Sequence, residues 1–238
     1  MVEDLVTVHV MLRNEEFWIE PVLRAVLAVT RNILIFDTGS EDGTKDILEE
    51  IWKPGVRIEY ADHVLTPEEN GEARQVMSDM TETEWAFLVD GDELLDVEKL
   101  KVVLSSPPPQ DKECGFITLM NVDWKDSHFV ARNSHNSHRY FRPKSNIWRG
   151  VYPFEIPSQY DDHSTYYYYQ LLPGEVHGVH LHCLKRSHLD DQMEMRLIQR
   201  KANSVREITQ DPYDLPWPPD YLFPEGHPYI PGSTLVSK

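Results

Sequence analysis

The sequence predicts an α/β fold with a mainly parallel sheet, helices on both faces and a ligand crevice at the carboxyl ends of the strands. Three observations predict it. Strand-like and helix-like segments alternate through about the first 90 residues, the strand-like runs are short and apolar, and two of them end abruptly in aspartate.

Residues 5–11 form a β-rich apolar run, and residues 17–29 carry apolar side chains at helical spacing, with Pro21 suited to a helix start or a kink. A second short run, 32–37, ends in Asp37-Thr38-Gly39-Ser40. Residues 44–52 read as a helix stopped by Pro54-Gly55, 56–60 as a third strand, 72–80 as a helix, and 85–90 as a fourth strand. Asp37 and Asp90 both fall at strand ends and are expected to face one crevice. Beyond Leu104 the regularity fades. Pro107-Pro108-Pro109 marks a loop, residues 114–122, 137–142 and 176–182 read as strands, and 188–208 reads as one helix. The four aromatics of 166–169 fit a mixed strand or packing role better than a sugar-stacking platform. From Asp211 to Lys238 the chain carries seven prolines, so this tail has no regular structure to form.

The chain has 238 residues, enough for one compact core. Lys+Arg number 23 against Asp+Glu 40, a net charge of −17, which disfavours nucleic acid and anionic lipid as partners. There is no apolar run of about 18 residues and no basic-then-apolar leader, so no transmembrane segment is predicted and the chain reads as cytoplasmic. Cys114 and Cys183 are the only cysteines, too few for a disulfide framework, and both are expected to be reduced, buried and inert.

Two motifs carry chemistry. In Asp90-Gly91-Asp92-Glu93 two carboxylates flank a glycine at a strand end, where both can reach one hard cation and the glycine lets the backbone approach a ligand. Mg²⁺ or Mn²⁺ at such a place bridges protein carboxylates to a diphosphate; the plainer reading of the same residues is an acidic loop cap. The segment 35–44 is a strand, a turn and a helix start, with Ser40 or Asp42 capping. That leaves Asp37, a carboxylate ending a buried strand, in need of a donor such as a nucleobase N–H.

With Arg13-Asn14-Glu15-Glu16, Asp37-Thr38-Gly39-Ser40, Asp42-Gly43-Thr44, Gly71-Glu72-Ala73-Arg74 and Asp90-Gly91-Asp92-Glu93 in that order, the sequence resembles glycosyltransferase family 2, inverting enzymes of GT-A fold. The resemblance covers roughly residues 5–95. It implies a single domain over 1–210, with a nucleotide-sugar-binding half (1–95) and an acceptor-binding, catalytic half (96–210), followed by the tail 211–238. It implies a nucleotide-sugar donor, by default uridine-linked, a carbohydrate or other hydroxyl acceptor, and Mn²⁺ or Mg²⁺. On these positions Asp37 binds the base, Arg74 contacts the nucleotide, Asp90 and Asp92 hold ribose and metal-diphosphate, and Arg13 and Glu15 belong to the donor site. Trp148-Arg149-Gly150 leads to Glu155, the candidate base for deprotonating the acceptor, with Asp123 and Asp126 in reserve. A metal-contacting histidine is implied at His182, with His180 second, and Lys185 or Arg186 reaches the diphosphate.

Rival readings are a zinc hydrolase built on His180-Leu181-His182, a metal-dependent nucleotidyltransferase, and a non-catalytic nucleotide-sugar binding protein. The hydrolase leaves the first half unexplained. The nucleotidyltransferase wants a glycine-rich loop after the first strand, where this chain has Leu12-Arg13-Asn14-Glu15-Glu16.

Overall fold

A computed structural model of the chain describes residues 5–112, 114–125, 128–145, 147–149, 156–158, 168–173, 175–181, 184 and 186–190. The elements begin β1 (Val6–Leu12), α1 (Ile19–Leu27), β2 (Ile33–Asp37), α2 (Thr44–Ile51), β3 (Val56–Tyr60), α3 (Pro67–Asp79) and β4 (Trp85–Asp90). After these come β5 (Glu93–Leu95), α4 (Val97–Ser105), β6 (Cys114–Lys125), β7 (His128–Phe141), β8 (Ile147–Arg149), β9 (Ile156–Ser158), β10 (Tyr168–Gln170) and β11 (Gly178–His180).

The main sheet runs β3-β2-β1-β4-β7-β6-β11-β5, with β10 also paired to β6, and β8 and β9 form a separate ribbon. Strands β3, β2, β1 and β4 are mutually parallel, whereas β7 runs antiparallel to β4 and to β6. This is a mainly parallel, mixed α/β sheet of GT-A kind. Strand order reverses at β1: the chain steps outward to β2 and β3, then returns to β4 on the other side. Such a reversal opens a crevice at the strands' carboxyl ends. The register places the two aspartates on either side of it, with Leu12 opposite Asp37 and Met11 opposite Asp90.

Alternation along β1 explains the layers. Val6, Val8, Val10 and Leu12 point to one face, where they join Val22, Leu23 and Val26 of α1, Leu48 of α2, and Leu100, Val103 and Leu104 of α4 in one core. The opposite face carries Ala86, Leu88, Phe141 and Trp148. Trp148 fastens β8 to α3 by donating its N–H to Gln75 Oε1 (3.0 Å) and its indole N–H to Ser78 Oγ (2.8 Å).

Several elements differ from the sequence reading. The third helix starts at Pro67 rather than at residue 72, because Thr66 and Glu69 form a reciprocal capping box with Pro67 just inside. Helix α4, unforeseen, is capped by Asp96, whose side chain accepts the Lys99 N–H (2.9 Å). Strand β7 begins at His128 rather than 137, since its polar residues show no apolar alternation. The strand expected over 176–182 shortens to Gly178–His180. His188 and Leu189 form a turn, not the start of a helix, and residues 191–208 of that expected helix lie outside the described residues, as does the tail 211–238. Cys114 is a buried thiol in no disulfide; Cys183 lies outside the described residues. Among the described residues no helix is long and apolar enough to cross a membrane.

Candidate functional site

Asp37 closes β2 fully buried. Its Oδ1 accepts the backbone N–H groups of Gly39 (3.0 Å) and Ser40 (2.7 Å), which fixes the turn. Its Oδ2 is buried with no hydrogen-bond partner among the described residues. An orphaned carboxylate oxygen is costly unless a donor arrives from elsewhere. The turn hugs the chain that follows β3: Gly39 has φ +101°, and a Cβ there would lie 2.6 Å from the His63 carbonyl oxygen. The two expected caps of α2 divide their work. Asp42 accepts the Thr44 N–H (3.0 Å), while Ser40 Oγ accepts the Asn14 N–H (2.9 Å) and so ties the turn to the loop after β1.

That loop is strained and well held. Asn14 sits at φ +53°, its Oδ1 accepting the Glu41 N–H (2.9 Å), and the Glu15 N–H donates to Thr44 Oγ1 (2.9 Å). The result buries Glu15 beneath the crevice and leaves Arg13 exposed at its edge.

On the other side of β1 lies the acidic turn. A Cβ on Gly91 would stand 2.8 Å from both Glu15 Cγ and Leu12 Cβ. The glycine therefore admits the β1 loop itself, a different reason from the ligand approach expected from the sequence. Asp90, about a third exposed, receives Arg74 on Oδ1 (3.1 Å) and Arg139 on Oδ2 (3.5 Å). Burial works against its ionised form, but Arg139 and Arg74 together hold its carboxyl below the usual aspartate range. Asp92 is buried and accepts from Arg186 on Oδ2 (2.5 Å), and His180 Nε2 lies 3.3 Å from the same oxygen. Arg186 also donates to Glu15 Oε1 (2.8 Å). Glu93, also buried, accepts the Asp90 N–H on Oε2 (3.1 Å) and Arg139 on Oε1. Burial pushes its carboxyl up to about 7 in spite of Arg139, with Asp90 adding to the rise.

Four carboxylates, Glu15, Asp90, Asp92 and Glu93, thus face three guanidinium groups, Arg74, Arg139 and Arg186, and one imidazole, His180. The pairing of β5 with β11 sets Glu93 opposite His180 and so delivers the histidine to the acidic turn. Behind His180 a polar chain continues. Asn121 Oδ1 accepts the His180 Nδ1 proton (3.0 Å), and Asn121 Nδ2 meets His135 Nδ1 (3.2 Å). His177, three residues earlier, faces away and takes the Thr118 N–H on Nδ1 (3.2 Å).

Arg74 is nearly buried rather than a surface helix arginine, and its guanidinium lies 5.2 Å over the Trp148 ring. Trp148 accordingly supports Arg74 and packs on α3. The structure therefore brings together Asp37, Glu15, Arg74, Asp90, Asp92 and Arg186 around the end of β1, with His180 beside them. Glu155, His182, Lys185 and Asp126 lie outside the described residues, and of Asp123 only its backbone, in β6 opposite Val130, is described. The sequence reading missed Arg139, Glu93 as a partner in the turn, and the pair Asn121 and His135. Only Glu93 had a local signal, its place next to Asp92.

No curated protein matches the chain. Among solved structures, TarS 1-349 of S. aureus in complex with UDP-GlcNAc aligns at 20% identity and TM-score 0.44 over 51% of this chain and 36% of that one. Glucosyl-3-phosphoglycerate synthase from Mycobacterium tuberculosis, in complex with phosphoglyceric acid, aligns at 20% identity and TM-score 0.36, covering 46% of this chain and 42% of that one. A 4-diphosphocytidyl-2C-methyl-D-erythritol synthase from Anaerococcus prevotii aligns at 13% identity and TM-score 0.37 over 60% and 73%. The chain spans about a third of the length of TarS 1-349. The family model described as Glycosyl transferase family 2 matches residues 7–165, well over half of the 238 residues, and the chain belongs to that family.

Proposed function

We propose that the chain is a glycosyltransferase that moves a sugar from a uridine-linked nucleotide-sugar to an acceptor hydroxyl with inversion, assisted by Mn²⁺ or Mg²⁺. The observation that carries this reading is Asp37: one carboxylate oxygen makes the turn, and the other is buried beside the strand-reversal crevice with no hydrogen-bond partner among the described residues. A uracil ring offers one N–H to such an acceptor. Across β1 from it, the acidic turn and its arginines form a place of mixed charge in which a diphosphate and a cation can both be held. Family membership supports the same chemistry.

The donor set suits a divalent cation. Asp92 Oδ2 and His180 Nε2 face each other 3.3 Å apart, close to the roughly 3 Å that separates adjacent ligands bound about 2.1 Å from one ion. Asn121 holds the proton on His180 Nδ1, so in the neutral imidazole Nε2 is the nitrogen that offers a lone pair to an ion beside Asp92. Among the described residues no third protein ligand joins them, and His182, the histidine expected from the sequence, lies outside those residues; the diphosphate is proposed to complete the site. Asp92 and His180 would hold the ion, which supplies charge stabilisation to the departing diphosphate. Arg186 sits on the same Asp92 oxygen and so carries the balancing positive charge when no cation is bound. Arg74 presents donors toward the nucleotide. Glu155 is proposed as the base.

The test is a panel of UDP-, GDP- and dTDP-sugars incubated with the purified chain and Mn²⁺, followed by release of free nucleotide diphosphate. Turnover with UDP-sugars above the others supports the reading. Nucleotide monophosphate and pyrophosphate chemistry instead would favour a nucleotidyltransferase.

A further inference from the structure

Arg139 belongs to none of the motifs that mark the crevice, yet the fold aims it there. In the β6–β7 ladder Gly115 pairs with Tyr140 and Phe116 pairs with His138, so Arg139 is the extra residue of a β-bulge. A bulge turns a side chain out of its alternation and toward a new target. The target here is the acidic turn. Arg139 is only 6% exposed, and its Nη2 contacts both Glu93 Oε1 and Asp90 Oδ2 (3.5 Å), while Nη1 donates to the His138 carbonyl (3.2 Å). Glu93 closes the circuit by accepting the Asp90 N–H. Asp90 is thereby held at three points: its amide by Glu93, its Oδ2 by Arg139 and its Oδ1 by Arg74 from α3.

We propose that Arg139 is a positioning residue that fixes the Asp90 carboxylate in one rotamer for donor binding, a role that rests on the donor reading of this crevice. A buried ion pair is a poor device for stability, because a well-packed apolar pair of similar volume does as well or better. It is a good device for direction. Arg139 Nη2 bridges the two carboxylates while Nη1 is tied to the His138 carbonyl, and this planar, anchored arrangement is one that neither a lysine nor an apolar side chain reproduces. Arg74 alone leaves Asp90 Oδ2 free to swing toward Asp92, which like charge opposes but does not direct.

The test uses the full chain and three variants: Arg139→Lys, Arg139→Met, and Arg139→Met with Glu93→Leu, the last removing both buried charges together. Thermal melting reports stability, three-bond NMR couplings report the Asp90 rotamer without donor, and calorimetry reports UDP affinity with Mn²⁺. We expect a single Asp90 rotamer in the parent and averaged couplings in all three variants. We also expect the double variant to recover the melting temperature that Arg139→Met loses, while both bind UDP at least tenfold more weakly than the parent. A double variant that keeps one Asp90 rotamer and binds UDP as the parent does would overturn the proposal. A parent that keeps one rotamer but binds no uridine nucleotide, with averaging in the variants, would sink the donor reading and leave Arg139 as the residue that orients Asp90.

Discussion

Substituting Asp37 by asparagine separates the two halves of this carboxylate. Asparagine keeps an oxygen where Oδ1 accepts from Gly39 and Ser40, and puts an NH₂ where the unsatisfied Oδ2 is buried. In the donor-free protein two effects of about 1 kcal/mol oppose each other. The turn loses the charge assistance on two short bonds, and the core exchanges a buried carboxylate oxygen for a neutral NH₂ in the same place, which costs less to bury though it too lacks a partner among the described residues. The melting temperature is therefore expected to move little. Donor binding has no such offset. A base N–H that met a carboxylate now meets another donor, so a charge-assisted bond of about 1.5–3 kcal/mol disappears. At 1.4 kcal/mol per decade this weakens UDP roughly 10- to 100-fold. Calorimetric titration of parent and Asp37→Asn with UDP, beside melting curves without nucleotide, reads both quantities. Unchanged affinity would show that Asp37 serves the turn alone. A large fall in melting temperature would show that the turn, not the base, needs the charge.

Further outcomes follow from other contacts. His9 is buried against Thr81, and burial first, then Arg74 and Arg57, pushes its imidazole down to about 3. Because the unfolded chain takes up that proton near 6.5, His9 makes stability fall as pH drops from 6.5 toward 3, by on the order of 5 kcal/mol at the limit. The rise of Glu93 to about 7 acts oppositely between 4.5 and 7, so the difference in urea midpoint between the parent and His9→Gln, followed from pH 7 to pH 5, isolates the histidine. If the two slopes coincide, His9 is not the acid-sensitive group. Gly91→Ala forces a Cβ to within 2.8 Å of Leu12 and Glu15, which should cost about 1–3 kcal/mol in denaturant melts and weaken UDP binding as the turn shifts. Parent-like stability would mean the β1 loop yields freely. Glu155→Gln should lower transfer by about 10²-fold with donor affinity unchanged, whereas transfer at the parent rate would remove it as the base.

The fold was legible where burial wrote itself into composition. The fourth strand, Trp85–Asp90, coincides with its apolar run because a strand covered on both faces has little else to show, whereas the edge strand Val56–Tyr60, buried only at Val56, shows apolar and polar residues in alternation. The first turn of α3 hid behind Pro67, Glu68, Glu69 and Asn70, which carry no apolar period; Thr66 and Glu69 were the available signal. The first part of strand β7, before residue 137, hid for the converse reason: polar residues such as His135 look like loop residues until Asn121 of β6 supplies a partner. The candidate site divides in the same way. Asp37, Arg74, Asp90 and Asp92 stand in local patterns at element ends, so the sequence points at them. Arg139 depends on a register shift against β6, and Arg186, though named from the resemblance, reaches Asp92 by a contact across 94 positions that the sequence does not show. Such pairings are non-local and leave no mark in either segment alone.

The central claim is that a nucleotide diphosphate and a divalent cation are held together at the acidic turn by Asp92. Its most direct measurement is UDP binding by calorimetry with Mn²⁺ and with excess chelator, for the parent and for Asp92→Asn. Binding that needs Mn²⁺ in the parent, and that falls in Asp92→Asn to the chelated level while the melting temperature is kept, is the predicted result. Equal UDP affinity with chelator and with Mn²⁺, or an Asp92→Asn chain that still responds to the metal as the parent does, would contradict it.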